Sequence, residues 1–329
     1  MKRTRIGVVG CGAIATLYQL PALRRVADVE LVAVVDTDAA WAATVARRFE
    51  ARESFADPAA LVGRVDAALI ATPNHTHADI ACALLGAGVH VLCEKPLATT
   101  RSEVERMLDA AAHGGTRLMA AHCLRFSPNL AMLEQVVTDG WLGELTAISG
   151  AIGGPYDTSA RRTDFRRQKR LAGGGVLVDL GVHIVDLAVW MAGAAPAAVT
   201  YDDSTAPGWE VETDVEVVLD FPNSSRATLN ASFTHALDAS FTVRGRDGWA
   251  TASLYRPTDL TLFSNRARVC RAAGVQQIHV PGASMYDRQI GHFCARVRSG
   301  EEFCVRAGEV RAVIDVIERC YRQREADAA

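Results

Sequence analysis

The chain opens on the feature that most limits what it can fold into. Apolar residues 6–9 run directly into Gly10-Cys11-Gly12-Ala13-Ile14-Ala15 and then into a helical pattern. A strand that must turn at once into a helix needs a backbone without a β-carbon, which Gly10 supplies. Gly12 leaves room for a pyrophosphate to approach the backbone, and Ala15 is small enough for the helix to pack on the strand. A second apolar run, residues 30–35, ends in Asp36, where an acid is placed to hold the ribose hydroxyls of a dinucleotide. Asp38 is the better candidate to cap the helix that begins near Ala39. Gly10, Gly12, Ala13, Ile14 and Asp36 are therefore the first candidate cofactor-binding residues.

The alternation of strand and helix continues to about residue 122. Residues 66–70, 89–92 and 117–121 read as buried strands, and 75–85 and 102–112 as helices. Short apolar strands separated by helices imply a doubly wound parallel sheet covered on both faces, with ligands beyond the carboxyl ends of its strands. Those ends carry Asp36, Thr72-Pro73-Asn74, Glu94-Lys95-Pro96 and His122. From about residue 144 the pattern changes. Residues 211–221, 226–233, 240–246 and 258–263 alternate apolar with polar, and Asn223-Ser224-Ser225 and Asp247-Gly248 are turn signals. The expected architecture is an α/β Rossmann domain over 1–122 followed by an α+β domain over 123–329 with a large, mostly antiparallel open sheet.

A net charge of -3 gives nucleic acid no bulk electrostatic footing. The apolar run behind Lys2, Arg3 and Arg5 is too short for a signal peptide, and the long apolar stretch at 173–195 holds Asp179, His183 and Asp186, so a membrane span is not expected. Eight cysteines without a C-x-x-C pair read as free thiols in a reducing cytoplasm. His75-x-His77 and His183-x-x-Asp186 have spacings that could suggest a metal, but both fall in segments that cofactor and substrate binding already account for.

Ala71-Thr72-Pro73-Asn74-His75-Thr76-His77, Gly88 to Leu97 with its Glu94-Lys95-Pro96, Ala172-Gly173-Gly174-Gly175 and Asp179-x-Gly181-x-His183 form an ordered set. With it, nearly the whole chain resembles the Gfo/Idh/MocA oxidoreductases, the family of glucose–fructose oxidoreductase and inositol dehydrogenase. The resemblance implies NAD, with NADP possible, in the first domain, and a sugar, cyclitol or aminosugar over the second. It also implies a homodimer or homotetramer through the open sheet. Thr72, Pro73, Asn74, His77, Glu94, Lys95 and Arg166 join the cofactor-binding candidates. Many relatives carry Trp-Arg where this chain has Phe165-Arg166, so the aromatic cover of the nicotinamide departs from the family pattern while Arg166 keeps to it.

Oxidising a secondary alcohol requires a base for the hydroxyl proton and a donor for the developing alkoxide. His183 suits the first because its unperturbed pKa lies near neutrality. Lys95 suits the second as a compact ammonium, one of three lysines among 35 basic residues. Asp179 orients His183 or binds a substrate hydroxyl. Residues 173–193 are apolar nearly all round and predict one buried helix, with Asp179 and His183 one turn apart on one side. An aspartate and a histidine in such surroundings need partners or a task. The catalytic candidates are thus Lys95, Asp179 and His183, and no metal is assigned. A ketoreductase of nucleotide-linked sugars and a non-catalytic NAD(P)-binding regulator remain open as alternatives. Asp36, followed by Thr37-Asp38 and no basic pair, favours NAD; Arg47 and Arg48 would be suspected if NADP bound equally. The Lys95-Pro96 bond is expected to be cis. The basic run Arg161, Arg162, Arg166, Arg167, Lys169 and Arg170 reads either as a solvated loop or as an anion-recognising one.

Overall fold

A computed structural model describes residues 3–156, 165–266 and 274–327. The first layer is a six-stranded sheet in the order β3-β2-β1-β4-β5-β6. Its strands are β1 (Thr4–Val9), β2 (Val29–Val35), β3 (Glu53–Phe55), β4 (Ala67–Ile70), β5 (His90–Cys93) and β6 (Leu118–Ala120). All pairs are parallel. β1 and β4 are neighbours although two strands separate them in the chain, so the winding reverses between them and opens a crevice at their carboxyl ends. The edge strand β3 is not anticipated by the sequence: it is short, only half buried, and carries no apolar run.

Local chemistry fixes the elements around this sheet. Asp38 caps helix Ala39–Phe49 by accepting from Trp41 N at 3.0 Å. Thr100 and Glu103 form a capping box on helix Arg101–His113. Gly10 has φ 93°, and a β-carbon there would lie 2.4 Å from the Ala71 carbonyl oxygen, so the turn after β1 admits only glycine.

The second layer is an eight-stranded sheet in the order β14-β13-β12-β11-β7-β10-β9-β8. It comprises β7 (Leu145–Gly153), β8 (Ala198–Ser204), β9 (Asp214–Asp220), β10 (Arg226–Ser232), β11 (Ser240–Gly245), β12 (Gly248–Ser253), β13 (Asp259–Ser264) and β14 (Gln276–His279). Every pair is antiparallel except β7 with β10. Leu229, Phe241, Val243, Ala250, Ala252, Leu260 and Leu262 alternate onto one buried face. The opposite face carries Thr242 and Thr251, bonded at 2.8 Å, and the half-buried pair Trp249 and Phe263.

The helix expected over 173–193 is present over residues 176–192, starting three residues late and with a wide-turn first stretch in place of regular α-helix. Gly173, at φ 80°, ends helix Lys169–Ala172; a wide-turn π segment spans Leu177–Gly181; and an α-helix runs over Val182–Ala192. The glycines account for the late start. A β-carbon on Gly174 would collide with the Tyr321 hydroxyl, and one on Gly175 would lie 2.0 Å from the Glu212 carbonyl oxygen. Apolar periodicity cannot register such contacts, because they are made by residues distant in sequence. Residues 169–192 are apolar and long enough to cross a membrane, but most of that stretch is buried inside the protein. Gly175→Ala is expected to lower unfolding stability by about 1–3 kcal/mol through overpacking against backbone. Urea denaturation giving an unchanged midpoint would show that this approach is not tight.

Candidate active site

The strand-end loops of the first sheet converge as their sequence suggested. Asp36 accepts from Cys11 N (2.9 Å) and Asp38 N (3.0 Å), which pins the glycine turn beside the end of β2. A β-carbon on Gly12 would meet no protein atom within 4 Å. That open backbone, at the start of a helix through Ala13 and Ile14, is the shape a pyrophosphate requires. Trp41 Nε1 donates to the Cys11 carbonyl (2.8 Å), holding the turn from the other side.

Three cofactor candidates have protein partners that the sequence does not announce. His77 is fully buried, and its two ring nitrogens lie 2.9 Å from the carbonyl oxygens of Pro96 and Thr72. It therefore clamps the Thr72 and Pro96 loops together and offers no atom to a ligand. Asn74 Nδ2 donates to the Ala172 carbonyl (2.8 Å), and His75 Nδ1 lies 2.9 Å from the Leu171 carbonyl, so this loop latches onto the second domain. Arg166 Nε sits 3.0 Å from Asp179 Oδ2, the carboxylate that also meets Lys95. Glu94 is buried; it accepts from Gln19 Nε2 at 2.5 Å and from Lys95 N at 3.3 Å. Burial raises its pKa against the pull of Gln19 and Lys95. The Lys95-Pro96 bond is cis.

Lys95, Asp179 and His183 come together across the crevice. Lys95 Nζ donates to the Asp179 carbonyl oxygen (2.5 Å) and to Asp179 Oδ1 (3.1 Å). An ammonium has three donors, so one remains for a ligand. In this region Val182 N donates to Leu177 O, the i to i−5 pattern of a π segment, and such segments recur where a helix serves a site. Burial works to raise the Asp179 pKa, but Lys95 and Arg166 outweigh it and hold the carboxylate well below its ordinary range. Asp179 is thus ionised and clasped between two cations.

His183 does not hydrogen-bond to Asp179; its Nδ1 is buried without a partner among the described residues. Burial first, then the charges of Lys95 and His122, push its pKa well below the usual histidine value, while Asp179 opposes them. Of the two roles expected for Asp179, that of orienting His183 through a hydrogen bond is not fulfilled; its charge raises the His183 pKa, but desolvation outweighs it and leaves the imidazole neutral.

A buried charge cluster in this region was not legible as one, although His122 and Asp186 stand out singly in the sequence. Arg125 is wholly buried and binds Asp186 through Nε (2.9 Å) and Nη2 (2.6 Å), with Glu309 on Nη1 and the Trp190 ring 5.2 Å from its guanidinium carbon. His122 Nδ1 lies 3.5 Å from Asp186 Oδ2, the oxygen that Arg125 Nε also binds. Of the basic run, Arg167 stacks on Trp209 at 4.7 Å and Lys169 meets Glu325 at 3.6 Å, while Arg161 and Arg162 lie outside the described residues. Among the described residues no cluster of His, Cys, Asp and Glu is arranged to hold a metal, and all seven described cysteines are free.

Comparison with known proteins is consistent along the chain. Residues 4–122 match the model of an oxidoreductase family with an NAD-binding Rossmann fold, and 130–251 match the GFO/IDH/MocA C-terminal domain. An uncharacterized oxidoreductase of Rhizobium meliloti, ORF334, is 30% identical over 91% of this chain and 90% of its own length. The rhizopine catabolism protein MocA of the same organism is 31% identical over 79% of this chain and 81% of its own. Among solved structures, aldose-aldose oxidoreductase from Caulobacter crescentus, complexed with glycerol, superposes with a TM-score of 0.89 at 24% identity over 99% and 98% of the two chains. GenD2 from gentamicin A biosynthesis, in complex with NAD, gives 0.84 at 27% identity over 100% and 96%.

Proposed function

Because the chain belongs to the Gfo/Idh/MocA oxidoreductases, an NAD-binding family with relatives named inositol 2-dehydrogenase and levoglucosan dehydrogenase, we propose that it interconverts a secondary alcohol and its ketone on a sugar, cyclitol or aminosugar. The observation that carries this reading is the buried trio: a lysine with a spare donor, an ionised aspartate and a neutral histidine facing one crevice. Bound NAD supplies the hydride acceptor in the oxidising direction. Gly10, Gly12, Ala13, Ile14 and Asp36 cradle its pyrophosphate and adenosine ribose, with Thr72, Pro73 and Glu94 lining the strand ends. Lys95 steadies the alkoxide, and His183 takes the hydroxyl proton as it leaves. Asp179 holds Lys95 in place, and Arg166 keeps Asp179 ionised. The domain division at 122/123, a cytoplasmic location and a homodimer or homotetramer formed through the Thr242, Trp249 and Phe263 face complete the proposal.

A nicotinamide absorbance assay over inositols, free sugars, aminosugars and nucleotide-linked sugars tests it. Turnover of at least one polyol or sugar is expected; no turnover across the panel, with NADH binding retained, favours a non-catalytic regulator. Turnover confined to nucleotide-linked ketosugars favours the ketoreductase alternative. NAD(H) is expected to bind more tightly than NADP(H), because the Asp36 carboxylate at the ribose position repels a 2′-phosphate. Equal affinities in a fluorescence titration would remove Asp36 from that role and turn attention to Arg47 and Arg48.

A further inference from the structure

Glu212 lies outside the site just described, yet it is fully buried and committed to the segment that carries Asp179. Its Oε1 accepts from Gly175 N (2.8 Å) and Leu177 N (3.2 Å), and its own carbonyl accepts from Val176 N (3.0 Å). One residue thus grips three successive amides at the start of the π segment, where backbone donors would otherwise be left without partners. The grip is passed on, since Asp179 N donates to Gly175 O at 3.1 Å. From the other side, the carboxyl-terminal helix supplies two donors to the same carboxylate: the Tyr321 hydroxyl at 2.8 Å on Oε1 and Arg324 Nη1 at 3.0 Å on Oε2. Gly174 and Gly175 are the positions whose missing β-carbons let Tyr321 and Glu212 come this close.

We infer that Glu212 is a positioning residue for the Lys95–Asp179 pair, linking Tyr321 and Arg324 of the carboxyl-terminal helix to the backbone that aims Asp179. Asp179 holds Lys95 through both its carbonyl and its carboxylate, so a rotation of residues 175–179 moves the ammonium as well. Displacement of a reacting group by about 1 Å can cost around 100-fold in rate. The dinucleotide turn at Gly10 and Gly12 belongs to the other sheet and shares none of these bonds, so cofactor binding is insulated from the clip.

This inference rests on the dehydrogenase reading, and its test separates the two. In Glu212→Ala, kcat is expected to fall by about 10- to 100-fold while the NADH Kd stays within about two-fold. Glu212→Gln, which can still accept from Gly175 and Leu177, should recover most of the rate. Tyr321→Phe and Arg324→Met should each give a partial loss, and they serve in place of the alanine variant if that one does not fold. A lowered Tm with kcat and the substrate KM unchanged well below that Tm would reduce Glu212 to a structural role and overturn the inference. If the wild type turns over nothing, amide exchange decides: faster exchange at 175–181 in the variants, with the carboxyl-terminal helix still protected, supports the clip, and unchanged exchange there defeats it.

Discussion

Lys95→Ala and His183→Ala are each expected to lower kcat by about two to four orders of magnitude, the range for losing an alkoxide donor or a general base. NADH affinity should change far less, because the pyrophosphate turn and Asp36 do not depend on either side chain. The pH profile carries a second signature. Burial, Lys95 and His122 depress the His183 pKa, so the base is deprotonated at neutral pH, and alcohol oxidation is lost only as pH falls below the ordinary imidazole range near 6.5. Asp179 opposes that depression, so Asp179→Asn should move the acid limb lower still. It should also cut kcat, since Lys95 and Arg166 lose the carboxylate that holds them. Stopped-flow measurement of the hydride step is the appropriate readout, because a slow product release would mask a change in chemistry. A near-normal hydride step in Lys95→Ala or His183→Ala would falsify these roles.

What the sequence made legible follows the range of the forces involved. The glycine turn, the acid at the end of β2 and the strand-end loops are local: each follows from a backbone requirement or an apolar run within a few residues, and the sheet assembles them at one edge. The meeting of Lys95 with Asp179 was reachable only through resemblance, because 84 residues separate them. Where the outcome lies in contacts between distant residues, residue patterns are silent or mislead. His77 looks like a ligand in its motif but is consumed by the carbonyls of Thr72 and Pro96. The pairing of Arg166 with Asp179 is likewise invisible in the residue pattern. The late start of the helix expected over 173–193 is set by Tyr321 and Glu212 against Gly174 and Gly175, which no periodicity could anticipate. Glu212 itself sits in a stretch with nothing in its neighbourhood to mark it.

Asp186→Ala is expected to destabilise the fold by about 3–5 kcal/mol, the cost of stripping the partner from a buried charge. The Arg125 guanidinium has no exposed surface, and two of its nitrogens rest on the Asp186 oxygens. With the carboxylate gone, Glu309 and the Trp190 face are left to offset a full positive charge taken out of water. Burying the pair is costly in the first place, so the size of the loss measures the orphaned cation and not the worth of the ion pair. A double replacement therefore separates the two: Arg125→Met with Asp186→Leu removes both charges and should be markedly more stable than Asp186→Ala alone. Catalysis is affected as well, because Asp186 lies on helix Val182–Ala192 one turn beyond His183, and the Arg125 side enters from the segment that follows β6. In the double variant the helix stays packed and His183 keeps its place, so its kcat should exceed that of Asp186→Ala. Urea unfolding of the three proteins decides the matter: a double variant no more stable than Asp186→Ala means that packing, not the unpaired charge, sets the cost.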